Sequence, residues 1–413
     1  MKIVLLNHSD VKGGASVVTL RLLDALSEIP EAEVSMLTVH AASGRAGVHL
    51  AGSALSRKSA FLREHLDIFL HNGLNRADLF KASAASAGLP LSRHPLVREA
   101  DIVVLNWVNQ GMLSLSEIGR MARAGKKIVW TMHDMWPMTG ICHHAGECPR
   151  YKDECRDCPL VSRHFGSGKD LSTRVFRQKA ELYAHAGIHF VAVSRWLAGK
   201  ARESALLGDK PVEVIPNAFP VEEFAAAPTM TASQLGIPAD KKIILMGAAR
   251  IDDPVKGLGY AIDALNRVTD KDAVAVFFGD LRNPRALDSL RLPHILLGRI
   301  DSPEALRSLY ARSRVVLSSS LYETLPGTLV EGQAAGCFPV SFDRGGQADI
   351  IVSPATGFLA PFPDTEALAR GIEKGLRCEP DVAALRESVA GRFSSESVAL
   401  KYLKLFKTIL HKQ

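Results

Sequence analysis

The chain has 413 residues, of which 47% are hydrophobic and 23% charged, and its net charge is +6 at neutral pH. This composition excludes a largely disordered chain, and at roughly 150 residues per domain the length predicts two or three domains. No apolar run reaches the roughly 18 residues of a membrane-spanning helix. The start, MKIVLLNHSD, has no small-residue cleavage site, so no signal peptide is predicted. We therefore expect a soluble, cytoplasmic protein.

The charge is unevenly distributed. Residues 1–200 contain 25 Lys and Arg against 18 Asp and Glu, an excess of +7, whereas residues 201–413 contain 25 against 26. This asymmetry predicts an anionic partner for the first half, such as a membrane surface or a phosphorylated substrate, or else an ordinary basic surface. Only 6% of residues are aromatic and no nucleic-acid-binding motif is present, so we expect no nucleic-acid partner.

Short apolar runs alternate with amphipathic stretches in two series. The first series has apolar runs at 3–6, 34–39, 102–107, 128–132, 190–193 and 212–215, with helical patterns at 15–26, 115–123 and 172–184. After a polar stretch at 222–240, the second has runs at 243–247, 274–278, 295–297, 315–317, 338–342 and 358–360. Apolar strands between helices indicate parallel sheets covered on both faces. The predicted fold class is α/β, with two Rossmann-like, doubly wound domains facing a central cleft.

Two segments do not follow this alternation. Residues 57–81 are amphipathic and basic, which predicts either a helix that covers the core or a surface for a lipid-linked acceptor. At the chain end, Ser394-Ser395-Glu396 precedes a helical apolar pattern and predicts a capped terminal helix.

Loops after the strands are where a doubly wound sheet binds ligands. The first strand is followed by Gly13-Gly14, where backbone amides can approach a phosphate or a sugar at a helix start. The dinucleotide-binding spacing G-x-G-x-x-G and the P-loop spacing are both absent. The sequence therefore disfavours a nicotinamide oxidoreductase and an NTPase.

The second series carries paired charges in two such loops. Arg250 and Lys256 follow the strand at 243–247, and two such cations can offset the charge of a leaving diphosphate. Glu323 and Glu331 follow the strand at 315–317, with Glu331 about one turn inside a helix that begins near Gly327. A carboxylate there can accept hydrogen bonds from ribose hydroxyls, and the helix start is an anion site.

With these motifs the chain resembles the glycosyltransferases of family 4, which are retaining enzymes with the GT-B fold. The resemblance covers nearly the whole chain. The block TMHDMWPMTG at 131–140 and the cysteines after it resemble transferases of bacterial exopolysaccharide or capsule assembly. The motifs that carry the family resemblance are Gly13-Gly14, His133-Asp134, Val214-Ile215-Pro216-Asn217, Arg250 with Lys256-Gly257, Glu323 with Glu331, and Gly345-Gly346.

The resemblance implies a role for each matching residue. Arg250 and Lys256 would hold the donor diphosphate and stabilise it as it leaves. Glu331 would bind the ribose hydroxyls, while Glu323 would contact the donor sugar near the reacting carbon. His133 would reach the donor sugar from the first domain.

Backbone groups complete the implied site. The amides of Thr328 and Leu329 would add diphosphate contacts, and Gly13 and Gly14 would line the cleft. Catalysis would need no cofactor besides the nucleotide-diphosphate-sugar as co-substrate. The implied domains are 1–218, which binds the acceptor and includes the cysteine-rich loop 142–158, then 219–393, which binds the donor, and a helix at 394–413 that packs back on the first domain.

The implied function is a hexosyltransferase-type reaction for cell-surface polysaccharide synthesis. The acceptor would be a growing glycan, lipid-linked through a polyprenyl pyrophosphate, with peripheral contact at the inner face of the membrane. Two alternatives remain open, a nucleotide-sugar hydrolase or epimerase-like enzyme of the same fold and a non-catalytic scaffold in a glycan assembly complex.

Four of the six cysteines, Cys142, Cys148, Cys155 and Cys158, fall within 17 residues. Four thiolates with a C-x2-C pair suit a tetrahedral structural zinc site. Reduced thiols packed in the loop, disulfides and redox chemistry remain alternatives, although a reducing cytoplasm weighs against disulfides.

Overall fold

The computed structural model describes residues 1–74, 76, 79–161 and 170–411. The chain divides into two compact units, Met1–Ile215 with Ala399–Gln413, and Pro216–Val398. Each unit contains one sheet, and every pair of neighbouring strands in both sheets is parallel. The predicted α/β class with two doubly wound sheets is confirmed, whereas the cleft between them stays a prediction.

The described part of the first unit contains seven strands and the helices that cover them. The strands are β1 Lys2–Leu6, β2 Glu33–Thr38, β3 Val48–Leu50, β4 Ile102–Leu105, β5 Lys127–Met132, β6 His189–Ala192 and β7 Val212–Val214. The helices are α1 Gly14–Ser27, α2 Ala54–His71, α3 Pro95–Glu99, α4 Leu115–Arg123, α5 Leu171–His185 and α6 Arg195–Glu203.

The second unit contains six strands. They are β8 Lys242–Arg250, β9 Ala273–Asp280, β10 His294–Leu296, β11 Val315–Ser318, β12 Phe338–Phe342 and β13 Phe358–Ala360. The helices are α7 Val221–Ala225, α8 Leu258–Leu265, α9 Pro303–Ala311, α10 Gly327–Ala335, α11 Thr365–Arg377, α12 Val382–Phe393 and α13 Ser395–His411, the last of which continues into the first unit. No helix in the described part of the chain is long and apolar enough to span a bilayer.

The two sheets share one strand order over six strands, and the first has a seventh strand at its end. The first runs β3-β2-β1-β4-β5-β6-β7 and the second β10-β9-β8-β11-β12-β13. The order reverses direction between β1 and β4, and again between β8 and β11, so the loops after these strands diverge. Ligands of open parallel sheets bind at such points, outside the carboxyl ends of the strands. The predicted site residues of the second unit follow β8 and β11.

Most predicted strand bounds shift by one or two residues, and three differences have a physical explanation. Strand β3 was missed because three residues of a short edge strand, only partly buried, carry little periodic signal. Strand β4 ends two residues before the predicted boundary, and the Trp107 amide donates to the Asn7 side chain instead (2.9 Å). Strand β8 extends past the predicted end because a register shift after Gly247 lets Arg250 pair with Asp280. Arg250 is therefore the last strand residue, not a loop residue.

Helix α2 is held by a buried carboxylate. Ser53 caps its start by accepting from the Ser56 amide (3.2 Å). Glu64 is 0% exposed and accepts hydrogen bonds from the amides of Ala84, Ala85 and Gly111. Burial raises the pKa of this carboxyl, while the three amides act in the opposite direction. One face of the predicted amphipathic stretch thus covers the core.

The terminal helix α13 begins as predicted. Ser394 Oγ accepts from the Ser397 amide (3.3 Å), which is the hydrogen bond of an N-cap. Further along, the Tyr402 hydroxyl lies 2.9 Å from Thr131 Oγ1 on β5. Lys407 Nζ lies 2.6 Å from Glu31 Oε1.

Replacing Glu64 by alanine should lower the free energy of unfolding by about 2–4 kcal/mol, because three buried amides lose their acceptor. The control is Asp67→Ala on the same helix, which removes a partly exposed ion pair with Arg174 and should cost less than about 1 kcal/mol. Urea unfolding followed by circular dichroism measures both. Equal shifts would contradict the anchoring role of Glu64.

Candidate active site

An ion pair joins the loops after β8 and β11. Lys256 Nζ lies 2.6 Å from Glu323 Oε1, and both side chains are partly buried. Two backbone contacts hold the same loops together, since Ser319 Oγ donates to the Lys256 carbonyl (2.9 Å) and the Leu321 amide to that of Val255 (2.8 Å). The structure thus brings together two residues that are 67 positions apart.

The close approach of these loops requires a glycine. Gly257 has φ +65°, and a Cβ at this position would overlap the carbonyl oxygen of Ser319. Helix α8 begins at the next residue, so the backbone turns sharply to place Lys256 beside the loop after β11. In the Lys256-Gly257 motif, the glycine is therefore required for steric reasons and the lysine for its charge.

Arg250 is oriented by the aspartates that follow it. Its Nη2 donates to Asp253 Oδ2 (2.8 Å), and its Nε lies 3.5 Å from Asp252 Oδ1. Among the described residues, neither the Arg250 Nε nor the Asp252 Oδ1 atom has a hydrogen-bond partner, and their contact with each other is an ion pair only. The two aspartates thus neutralise the guanidinium in this structure.

Helix α10 holds the second carboxylate. Glu331 is 9% exposed, and the buried Tyr310 hydroxyl donates to its Oε2 (3.3 Å). The helix begins at Gly327, as predicted, and Pro326 provides no side-chain cap for its amides. The Leu329 amide already donates to the Pro326 carbonyl (3.2 Å), so a diphosphate at this amide would share the donor with that carbonyl. Thr328 lies in the first turn of the helix.

In the first unit, the residues predicted to bind ligand also lie at carboxyl ends of strands. Gly13 caps α1 with φ +87°, and a Cβ at Gly13 or Gly14 would meet no atom within 4 Å. His133 follows β5, and its Nε2 donates to Asn106 Oδ1 (3.0 Å) after β4. Burial lowers the pKa of His133 to about 4, so the imidazole is neutral at pH 7.

Beside His133 lies a hydrogen-bond network whose roles the sequence did not indicate. His143 Nδ1 donates to Asp134 Oδ2 (2.6 Å), and Trp107 Nε1 donates to the same oxygen (3.0 Å). His143 Nε2 lies 3.0 Å from Ser83 Oγ. Burial acts to raise the pKa of Asp134, but His143, His144 and the Trp136 amide together outweigh it, and the pKa is lowered. Of these residues, only Asp134 lies in a motif that carries the family resemblance. Ser83 comes from a distant part of the chain, so no motif in the sequence marks its contact with His143.

A buried lysine holds the segment after this network. Lys179 on α5 is 0% exposed and donates to the carbonyls of Trp136 (2.5 Å), Thr139 (2.9 Å) and Gly140 (3.0 Å). Its Nζ also lies 3.5 Å from the centre of the Trp136 ring. Burial lowers the pKa of Lys179 to about 7. No signal in the sequence distinguishes this lysine from its exposed neighbours.

The four clustered cysteines surround one small cavity of about 20 Å³. All six cysteines of the chain are free thiols in the part that the structure describes. Burial raises the pKa of Cys142, and it raises that of Cys155 to about 11 and that of Cys158 to about 12. Among the described residues, no group of three or more His, Cys, Asp or Glu side chains is arranged to hold a metal ion. The geometry does not support zinc, which stays a prediction.

Part of the second unit matches a family of known proteins. Residues 231–391 match the family "Glycosyl transferases group 1". Over 268 residues the chain is 26% identical to the phosphatidyl-myo-inositol mannosyltransferase of Mycobacterium tuberculosis, covering 61% of this chain and 68% of that protein. It is 23% identical to the putative colanic acid biosynthesis glycosyl transferase WcaC of Escherichia coli, over 30% of each protein.

The whole chain also resembles solved structures. Anabaena Alr3699/HepE, crystallised in complex with UDP and glucose, aligns with a TM-score of 0.64 at 15% identity, over 99% of this chain and 100% of that one. This similarity shows the GT-B fold. Together with the family match, it supports a glycosyltransferase of the GT-B type.

Stability should fall as the pH decreases from about 6.5 to about 4. Burial lowers the pKa of both His8 and His133 to about 4, so each imidazole takes up a proton on unfolding in this range. The expected loss is on the order of 1–3 kcal/mol per histidine. Urea unfolding at pH 7, 5.5 and 4.5 measures it.

The variant His8→Gln should show a shallower pH dependence than the wild type, while exposed His49→Gln serves as the control. If the free energy of unfolding changes equally with pH in wild type and in His8→Gln, the His8 ring is not held neutral by the fold.

If the cysteine loop binds zinc, purified protein should contain about one equivalent of the metal. Substitution of Cys155 and Cys158 by serine should remove it, since each thiolate is one of four ligands. The control is Cys378→Ser, at an exposed cysteine outside the loop. Elemental analysis that finds less than a few tenths of an equivalent in the wild type would end the zinc hypothesis.

Proposed function

We propose that this protein is a retaining glycosyltransferase of family 4. It would transfer a hexose from a nucleotide-diphosphate-sugar to a growing, lipid-linked glycan in cell-surface polysaccharide synthesis. The observation that carries the proposal is the Lys256–Glu323 ion pair at the point where the strand order of the second sheet reverses.

The charges in this region fit a diphosphate leaving group. In the proposed reaction the diphosphate replaces Glu323 as the partner of Lys256, and Arg250 supplies a second fixed positive charge. Both cations stabilise the negative charge that develops as the sugar–phosphate bond breaks. This positive charge comes from side chains, so the proposed reaction needs no metal ion.

The carboxylates have different proposed roles. Glu323, once released from Lys256, would contact the donor sugar. Glu331, held by Tyr310, would accept hydrogen bonds from ribose hydroxyls. For His133 we propose a contact with the donor sugar, in which a neutral imidazole adds a hydrogen bond without adding charge.

The named relatives support the substrate classes. One solved neighbour was crystallised with UDP and glucose, which supports a nucleotide-sugar donor. The mannosyltransferase relative is named for a lipid acceptor, and the second relative for colanic acid biosynthesis. By analogy we propose a lipid-linked acceptor and a role in polysaccharide assembly.

Replacement of Lys256 by alanine, or of Glu323 by glutamine, should lower turnover by at least about 100-fold, because the first removes positive charge at the diphosphate and the second removes the carboxylate proposed to contact the donor sugar. The matched control is Lys241→Ala, which removes an exposed Lys–Asp pair in the same unit (2.9 Å to Asp272) and should leave turnover unchanged. Mass spectrometry of products, after a thermal-shift screen of UDP- and GDP-sugars, measures transfer.

The same assay separates the alternatives. Release of free sugar at the same rate with and without acceptor indicates a hydrolase, and an isomerised donor indicates an epimerase-like enzyme. Turnover that is unaffected in Lys256→Ala, with unchanged thermal unfolding, would contradict the assigned roles.

A further inference from the structure

The loop after β12 lies directly against the loop that carries Glu323. The two backbones form an isolated parallel bridge between Glu323 and Gly345, and the Gly346 amide donates to the Glu323 carbonyl (2.8 Å). A Cβ at Gly345 would overlap the Glu323 carbonyl oxygen, so this close contact requires a glycine. The main chain of Glu323 is therefore held by the loop after β12.

Arg344 adds side-chain contacts between the same two loops. Its Nε donates to the Leu321 carbonyl (3.2 Å), and its Nη2 donates to the Tyr322 hydroxyl (3.3 Å). The Leu321 amide donates in turn to the Val255 carbonyl (2.8 Å) in the loop after β8. The segment just before Glu323 is thus held from one side by the loop after β8 and from the other side by Arg344.

The guanidinium of Arg344 is itself fixed by aromatic rings. Its Cζ lies 4.0 Å from the centre of the Phe362 ring and 5.3 Å from the centre of the Tyr322 ring. Phe362 packs edge to face against Phe342, the last residue of β12, with 5.3 Å between the ring centres. A planar cation that is both stacked and hydrogen-bonded has one geometry, which a lysine ammonium does not reproduce.

The side chain of Glu323 has a different partner, which the donor would displace. Glu323 Oε1 lies 2.6 Å from Lys256 Nζ, and in the proposed reaction the diphosphate replaces this carboxylate. The ion pair then no longer orients Glu323. Arg344 instead contacts a backbone carbonyl and a neutral hydroxyl, which do not compete with the diphosphate for a cation. Its contacts therefore persist when the donor is bound.

We propose that Arg344 is a positioning residue, which holds the segment from Leu321 to Glu323 so that the Glu323 carboxylate reaches the donor sugar. Arg344 does not touch the substrate and acts only through Glu323. Its role in transfer rests on the proposed function, whereas the restraint that it places on the segment is a property of the fold. Separate measurements test the two.

Amide hydrogen exchange of the full chain tests the restraint without any substrate. In Arg344→Ala, peptides that contain the Leu321 and Gly346 amides should exchange at least about tenfold faster than in wild type, because two hydrogen bonds that restrain the segment are lost. The matched control is Arg299→Ala, which removes an exposed arginine of the same unit (2.6 Å to Asp301) and should leave both peptides unchanged. Equal exchange in Arg344→Ala and in the control would overturn the proposal.

The kinetics of sugar transfer distinguish positioning from a direct effect of charge. Arg344→Ala should lower kcat by about 10- to 100-fold, because a displaced Glu323 loses its contact near the reacting carbon. The KM for the donor should change by less than about threefold, since the cations that bind the diphosphate are intact. Arg344→Lys should lower kcat nearly as much, because an ammonium keeps the charge without the planar fork. A lysine variant with wild-type kcat, or a loss confined to the donor KM, would indicate a cation that binds the diphosphate and would contradict positioning.

A double-mutant cycle separates positioning from a general loss of structure. In the Glu323→Ala background, Arg344→Ala should lower turnover by a further factor of about two at most, because a residue that acts through Glu323 has no carboxylate left to position. Losses that multiply would show that Arg344 acts elsewhere, which also overturns the proposal. Thermal unfolding checks that each variant is folded. A wild type that transfers no sugar would contradict the proposed function, and hydrogen exchange would still decide whether Arg344 restrains the segment.

Discussion

The reversal of strand order between β8 and β11 is the constraint on which the candidate site depends. It makes the two following loops diverge, and the Lys256–Glu323 ion pair joins them again at 2.6 Å. Gly257 permits the approach, because any larger residue would overlap the Ser319 carbonyl. A cation that follows β8 and a carboxylate that follows β11 are thus held together at the carboxyl edge of the sheet. This mixed charge is what a sugar linked to a diphosphate requires, with positive charge at the phosphates and acceptors at the hydroxyl groups.

The first unit repeats the strand order with different chemistry at its carboxyl edge. The loops there present His133 and the Asp134–His143 pair, with Trp107 alongside. Burial keeps His133 neutral, so at this position the edge offers a hydrogen bond without adding charge. The two units therefore suit different ligand groups although their sheets are built alike, because the chemistry resides in the loops and the fold only positions them.

Two buried charges in the first unit are satisfied almost entirely by backbone. Glu64 accepts from three amides, and Lys179 donates to three carbonyls. Each fixes segments of the chain that belong to no strand and lack strand-to-strand hydrogen bonds. These segments lie near residues 84–85 and 111 for Glu64, and at 136–140 for Lys179. A buried charge is costly unless it is fully hydrogen-bonded.

The sequence alone determined the α/β class, most strand positions and the start of α10 at Gly327, because continuous apolar runs and helix-start residues are local signals. It also singled out Lys256, Glu323 and Glu331, since their motifs lie close to strand ends. Only the tertiary structure decided that Arg250 ends a strand, that Ser83 meets His143 across 60 residues, and that α2 turns Glu64 inward. These features depend on register, on long-range contacts and on which of two amphipathic faces finds hydrogen-bond partners. The local sequence pattern does not predict such partners, because they come from distant parts of the chain.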